Sequence, residues 1–159
     1  MDWYEAASEY YRSTPDDAGV SSLPSEWQRE LVALMLVNRE VNNGGYLQFL
    51  ANHGQEAYQY ASRALKAIGA HQMAGMIDRC QALIDEHFVC EGRSSGELAR
   101  LLPNQVIGCD GWTIKEAGSV LPESVLARVS ELSYEFMGYP ENVGELAQSH
   151  YGPLIEADK

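Results

Sequence analysis

Seven consecutive apolar residues, Leu31 to Val37, constrain this chain more than any other stretch. They lie in a segment that opens on Ser25-Glu-Trp-Gln28 and closes on Asn42-Asn43-Gly44-Gly45. Ser three residues before Gln is a capping box, in which each side chain satisfies a backbone N–H of the other's residue. Asn and Gly tolerate the left-handed backbone that ends a helix. The spacing therefore predicts a helix over residues 26–42 that is apolar nearly all round in its middle. Such a helix is stable only if other elements cover every side of it. At seven residues the run is far too short to span a bilayer.

The same period supplies the covering elements. Trp3, Ala7 and Tyr10 share one face of an N-terminal helix, with Asp2, Glu5, Glu9 and Arg12 toward the other. Residues 13–22, with Pro15, Gly19 and several serines, read as a surface loop. A short helix over about 45–52 should end at Gly54. Helices over 55–68 and 72–88 follow, separated by Gly69. Ser94 and Glu97 form a second capping pattern, opening a helix that Pro103 should terminate. Gly108-Cys-Asp-Gly111 reads as a turn. Val125, Leu126, Val129, Leu132 and Phe136 mark an amphipathic helix from about Pro122. A last short helix is expected over 141–148. No convincing alternating strand is found. The fold class is all-α: a single compact multi-helix bundle over 1–159, its core including Trp27, Leu31, Leu34, Met35, Leu65 and Ile68.

Composition narrows the function classes. A chain of 159 residues suits one domain with a real core. Three cysteines, Cys80, Cys90 and Cys109, are too few for a disulfide framework and fit a reducing compartment. The start, Met-Asp-Trp-Tyr-Glu, has no basic region before an apolar stretch, so a cytoplasmic protein is expected. The formal net charge is −12, the wrong sign for direct nucleic-acid binding. That charge is uneven. Residues 1–40 hold eight acids and three bases, 41–84 two acids and three bases, and 85–159 thirteen acids and five bases. The acidity lies in the two flanks, and the middle is nearly neutral.

The near-neutral middle carries the densest motif, Glu40-Val-Asn-Asn-Gly-Gly-Tyr-Leu-Gln-Phe49. Its structural reading is a tight helix–helix corner. Asn43 would cap the next helix, Gly44 and Gly45 would allow close approach, and Glu40, Asn43 and Gln48 would hydrogen-bond the corner together. The alternative is an anion site at a glycine-rich helix start. The absence of Lys or Arg between Val41 and Tyr60 weighs against that alternative.

This string, with Asn52, Gly54 and Ala64-Leu-Lys-Ala-Ile-Gly-Ala70, resembles a bacterial helical family of uncharacterised function, related to an acidic, dimeric DNA-mimic protein. The resemblance covers about 25–90, leaving acidic flanks at 1–24 and 91–159. Leu50 stands where another aromatic is expected for the family. The resemblance implies an all-helical fold, a possible homodimer, and a protein that presents carboxylates to a DNA-binding partner where phosphates would sit. It carries over no functional residue, because mimicry depends on surface charge and not on the shared motif.

The flanks supply the carboxylates. Glu5/Glu9, Glu26/Glu30, Glu131/Glu135 and Glu141/Glu145 are all at i,i+4 spacing. Two such carboxylates lie about 6 Å apart along a helix axis, near the ~6.8 Å rise of two phosphate steps on one DNA strand. The expected contact residues are Glu131, Glu135, Glu141 and Glu145, with Glu5, Glu9, Asp16 and Asp17 as a second patch. The expected partner is a basic protein, a DNA-binding protein above all. The alternative is an immunity protein that neutralises a co-encoded nuclease toxin. A solvated acidic surface serving solubility alone is the bland reading.

Catalysis has little support. Cys80, His87, Cys90 and Cys109 lack the short Cys-x-x-Cys clasp of most structural zinc sites, so no metal is expected. His53, His71 and His150 stand apart from any recognisable nucleophile motif, and no phosphate-loop or metalloprotease string occurs. No cofactor and no enzymatic activity are expected. An enzyme of unknown type is the third option, and it would require a cleft where carboxylates converge.

Overall fold

The chain's central helix is covered on all sides. The computed structural model describes residues 1–15, 18–102 and 120–159, together with the backbone of 106–108 and 111–113. α1 (Trp3–Ser13) starts at Asp2, whose carboxylate accepts the Glu5 N–H at 2.8 Å. A 3-10 turn over Val20–Ser22 leads to α2 (Glu26–Gly44), where both bonds of the Ser25–Gln28 capping box form. Every residue from Leu31 to Val37 is at most 1% exposed. α2 therefore forms the axis of the fold. α1, α3 (Tyr46–Ala67), α6 (Glu123–Met137) and α7 (Val143–Ala157) pack against it. α3 also contacts α4 (His71–Asp85) and α5 (Ser95–Leu101), while α4 lies on α6. Among the described residues, one contiguous apolar core draws on all seven α-helices.

The turns follow the glycines. Gly45 takes φ +84° and its N–H bonds the Val41 carbonyl at 2.9 Å, ending α2 and starting α3. Gly54, at φ +80°, breaks the helical backbone where a boundary was expected. The span 46–67 is therefore two helical segments that meet at a kink at Gly54, as the sequence boundary there predicts. Asn52 and His53 precede the kink, in the segment that follows the Gly45 turn out of α2.

Three expectations need correction. The sequence shows no strand signal, yet β1 (Val106–Gly108) pairs antiparallel with β2 (Gly111–Thr113). Three-residue strands are too short to display a period of two. Trp27 is only half buried, its ring edge-on to Tyr10 at 5.7 Å, and Gln28 beside it is the buried residue at 5% exposed. The terminal helix does not stop near 148. α7 continues through Pro153 to Ala157 because Tyr151 (0% exposed) and Ile155 (2%) bury into the core. That apolar burial, roughly 1.5–3 kcal/mol per large side chain, offsets the hydrogen bond that proline removes. No helix among the described residues is long and apolar enough to cross a membrane.

Candidate functional site

The corner between α2 and α3 is organised by one carboxylate. Glu40, in the last turns of α2, is 6% exposed. Its Oε1 accepts from Arg39 Nη2 at 3.0 Å and Nε at 3.2 Å, and faces His53 Nε2 at 3.2 Å. Its Oε2 accepts from Gln48 Nε2 at 2.9 Å and Asn52 Nδ2 at 3.0 Å. Four side chains from two helices thus satisfy one buried anion. The His53 hydrogen bond, opposed by burial and reinforced by Gln48, Arg39 and Asn52, holds the Glu40 carboxyl down at about 2. Glu40 is therefore a permanent anion at neutral pH.

Asn43 takes no part as a cap. It is exposed, and α3 begins at Gly45 without a side-chain cap. The neighbouring Asn42 acts instead, donating to the Asn38 carbonyl and to the Tyr139 hydroxyl across the fold. Gly44 and Gly45 are both buried in the corner. The sequence does not connect Arg39 or His53 with the corner, because Arg39 adjoins Glu40 without helical-face spacing and His53 stands 13 residues away from it. Gln48 and Asn52, four residues apart on α3, were the available signal.

A second polar chain ties the corner to the rest of the bundle. The Tyr46 N–H donates to Ser133 Oγ of α6 at 3.0 Å. The Tyr46 hydroxyl donates to Gln81 Oε1 at 2.6 Å, and Gln81 Nε2 donates to Asp85 at 2.8 Å. Burial raises the Tyr46 hydroxyl well above its ordinary value, so it stays a donor.

The acidic residues divide into groups with different duties. Glu141 does not lie free: its two oxygens accept the Gln72 and Met73 N–H groups at 2.7 and 2.9 Å. It caps α4, whose own N-cap Ala70 supplies no side-chain acceptor. Glu131 and Glu135 are exposed but share Arg128, at 2.8 and 3.7 Å. Glu26 and Glu30 share Arg63 in the same way. Glu5, Glu9 and Glu145 are exposed. Asp16 and Asp17 lie outside the described residues. The four carboxylates expected as the leading patch are thus split between a helix cap, an ion-paired α6 row and one exposed position on α7.

The structure instead brings α1 and α7 together. Gln148 Oε1 of α7 accepts the Trp3 N–H at 2.8 Å, and Asp158 accepts the Tyr10 hydroxyl at 2.7 Å and Gln28 Nε2 at 3.1 Å. The two helices therefore run in the same direction. α7 contains no Lys or Arg, and α1 contains only Arg12. Glu156, missed in the sequence because α7 was expected to end earlier, is exposed eleven residues after Glu145. Eleven residues is about three helical turns, so both glutamates share a face, about 16 Å apart along the axis.

Cys80 and Cys90 are buried free thiols, and burial pushes both upward from the ordinary thiol value. Among the described residues no three His, Cys, Asp or Glu side chains are grouped to hold a metal ion. Cys109 lies outside them.

Residues 21–104 match the family model described as DMP19-like protein, which spans the α2–α3 corner, α4 and α5. No curated protein and no solved structure is significantly similar to the chain.

Proposed function

This chain belongs to the DMP19-like protein family, and from that membership we propose that it is a non-catalytic, cytoplasmic interaction protein that binds a basic, DNA-binding partner. The carboxylates of α1 and α7 occupy the positions that DNA phosphates would take on the partner. One observation carries this reading: two adjacent helices running the same way expose Glu5, Glu9, Glu145 and Glu156, with a single arginine between them. The ~16 Å from Glu145 to Glu156 compares with ~17 Å for five phosphate steps along one strand. Packed helix axes lie about 8–10 Å apart, between the ~6 Å and ~12 Å widths of the two DNA grooves. A basic surface shaped for a duplex meets comparable charge spacing in both directions.

Solubility alone would be served by acids dispersed among bases. A face with nearly one sign of charge adds long-range steering toward a cationic partner and a steep dependence on salt. The Glu40 corner supports the surface without joining it, since its charge is already matched by Arg39, Gln48, Asn52 and His53.

The immobilised chain, incubated at low salt with lysate from its native cell, is expected to retain one or a few basic DNA-binding proteins. They should elute over a narrow span of a salt gradient, identified by mass spectrometry. Retention of neutral or acidic proteins that resist high salt would refute the reading.

A further inference from the structure

α7 is the long helix whose own sequence supports it least. Of its fifteen residues, Gly144, Gly152 and Pro153 are poor helix formers. No basic residue stands in its last turn, where Glu156 adds a negative charge beside the free carbonyls. A helix of this length is marginal alone even with favourable residues, so α7 is helical because it is docked. We propose that α7 is a clasp, opening and unfolding as a unit over residues 142–158 while α1 to α6 stay folded.

What holds the clasp closed is one stripe. Val143, Ala147, Tyr151 and Ile155, each four residues from the next, are the side chains that bury into the core. Leu31 to Val37, by contrast, are buried on every side of α2. α7 packs on α1 and α2, and α2 keeps its cover from α1, α3 and α6 when α7 leaves.

The polar ties across the seam are ones that water can replace. Gln148 accepts the Trp3 N–H at 2.8 Å, while Asp158 accepts the Tyr10 hydroxyl at 2.7 Å and Gln28 Nε2 at 3.1 Å. The Tyr10 pair is exposed and the other two are part-buried. Opening therefore exchanges each bond for one to solvent and strands no donor. The Tyr151 hydroxyl lies 3.5 Å from Glu30 Oε2, at the outer limit of a hydrogen bond.

The opening starts after Glu141. That carboxylate holds the Gln72 and Met73 N–H groups, and the Tyr139 hydroxyl accepts from Asn42, so residues 139–141 are fastened to α4 and α2. Beyond them Asn142 accepts the Glu145 N–H at 3.3 Å, and Gly144 supplies the freedom of a hinge. An opened α7 carries Glu145 and Glu156 away from Glu5 and Glu9, so the anionic face exists only in the closed form. That last consequence rests on the proposed function, whereas the opening does not.

The test is native-state hydrogen exchange of the full chain, followed amide by amide by NMR. The Ala147, Tyr151 and Ile155 amides should share one protection factor, at least about 100-fold below that of Leu34 to Val37 in α2. Ile77→Val trims a core side chain of α4 that is 1% exposed. It should speed exchange in α2 about two- to tenfold and leave α7 unchanged, because opening α7 does not break the packing of α4. Gly144→Ala adds a Cβ that meets Asn142 Oδ1 at 3.6 Å, an ordinary contact. It should slow α7 exchange about two- to fivefold. Equal protection of α7 and α2, α7 exchange that rises with that of α2 in Ile77→Val, or no slowing in Gly144→Ala would overturn the proposal. The exchange pattern and the capture of a basic protein are separate readouts, so the failure of either leaves the other standing.

Discussion

Glu40→Ala is expected to remove roughly 1–3 kcal/mol of folding stability, measured as a lower midpoint in urea unfolding. The loss exceeds what a surface ion pair contributes, which is typically about 0–1 kcal/mol. The difference comes from what is left behind. Without the carboxylate, the amides of Gln48 and Asn52 and the His53 ring lose their shared acceptor inside the α2–α3 corner, and the Arg39 charge loses its partner. Gln48, His53 and Arg39 are partly buried and Asn52 is exposed, so water recovers part of what these donors lose and the cost stays below that of fully buried groups.

The same cluster fixes the acid response. The folded carboxyl titrates at about 2, against 4.5 for an unperturbed glutamate. Folded-state depression means that the stabilisation is complete above 4.5 and is lost as pH falls from there toward 2. At about 1.4 kcal/mol per unit, Glu40 contributes about 3 kcal/mol at neutral pH through this linkage. The stability gap between wild type and Glu40→Gln should therefore shrink steadily between pH 4.5 and 2. A gap that stays constant over that interval would show that the charge of Glu40 is not what holds the corner.

The second large effect concerns binding. Reversing Glu5, Glu9, Glu145 and Glu156 together to Lys should lower affinity for the captured basic partner at least about 100-fold, because several like-charge contacts replace attractive ones. All four side chains are exposed, so the helical circular dichroism should be little changed, while Lys in the first turns of α1 and α7, at positions 5 and 145, should lower the unfolding midpoint modestly. Reversal of Glu131 and Glu135 should matter much less, since Arg128 already offsets both. Glu141→Lys should behave as a folding variant and not as a binding variant. It places a cation at the N-terminus of α4, where the backbone N–H groups favour an anion. Equal partner affinity of the quadruple variant and wild type would remove α1 and α7 from the contact surface.

Much of the helical framework is legible in the sequence because its signals are local. The Ser25–Gln28 capping box, the apolar run of α2 and the glycines at 45, 54 and 69 each act within a few residues, and each acts as its chemistry dictates. Contacts between distant segments carry no such signal. Glu141 caps a helix that starts some seventy residues earlier, and nothing near it announces that duty. His53 looks isolated because its contact with Glu40 spans 13 residues, across the turn from α2 into α3. α7 was underestimated because Gly152 and Pro153 are locally unfavourable in a helix, whereas the burial of Tyr151 and Ile155 that keeps it helical is tertiary. The candidate surface suffered most. Helical spacing found pairs of glutamates, but only the packing of α1 on α7 separates exposed acids from those held by Arg63, Arg128 or a helix end.

The most direct test of the DNA-mimic reading is a competition equilibrium. The captured partner is titrated onto the immobilised chain at fixed salt in the presence of increasing duplex DNA. If carboxylates on α1 and α7 stand in for phosphates, duplex and chain exclude one another, and the DNA displaces the partner completely at concentrations set by the partner's own affinity for DNA. A ternary complex of chain, partner and duplex, with affinity for the chain unaffected by DNA, would contradict the account.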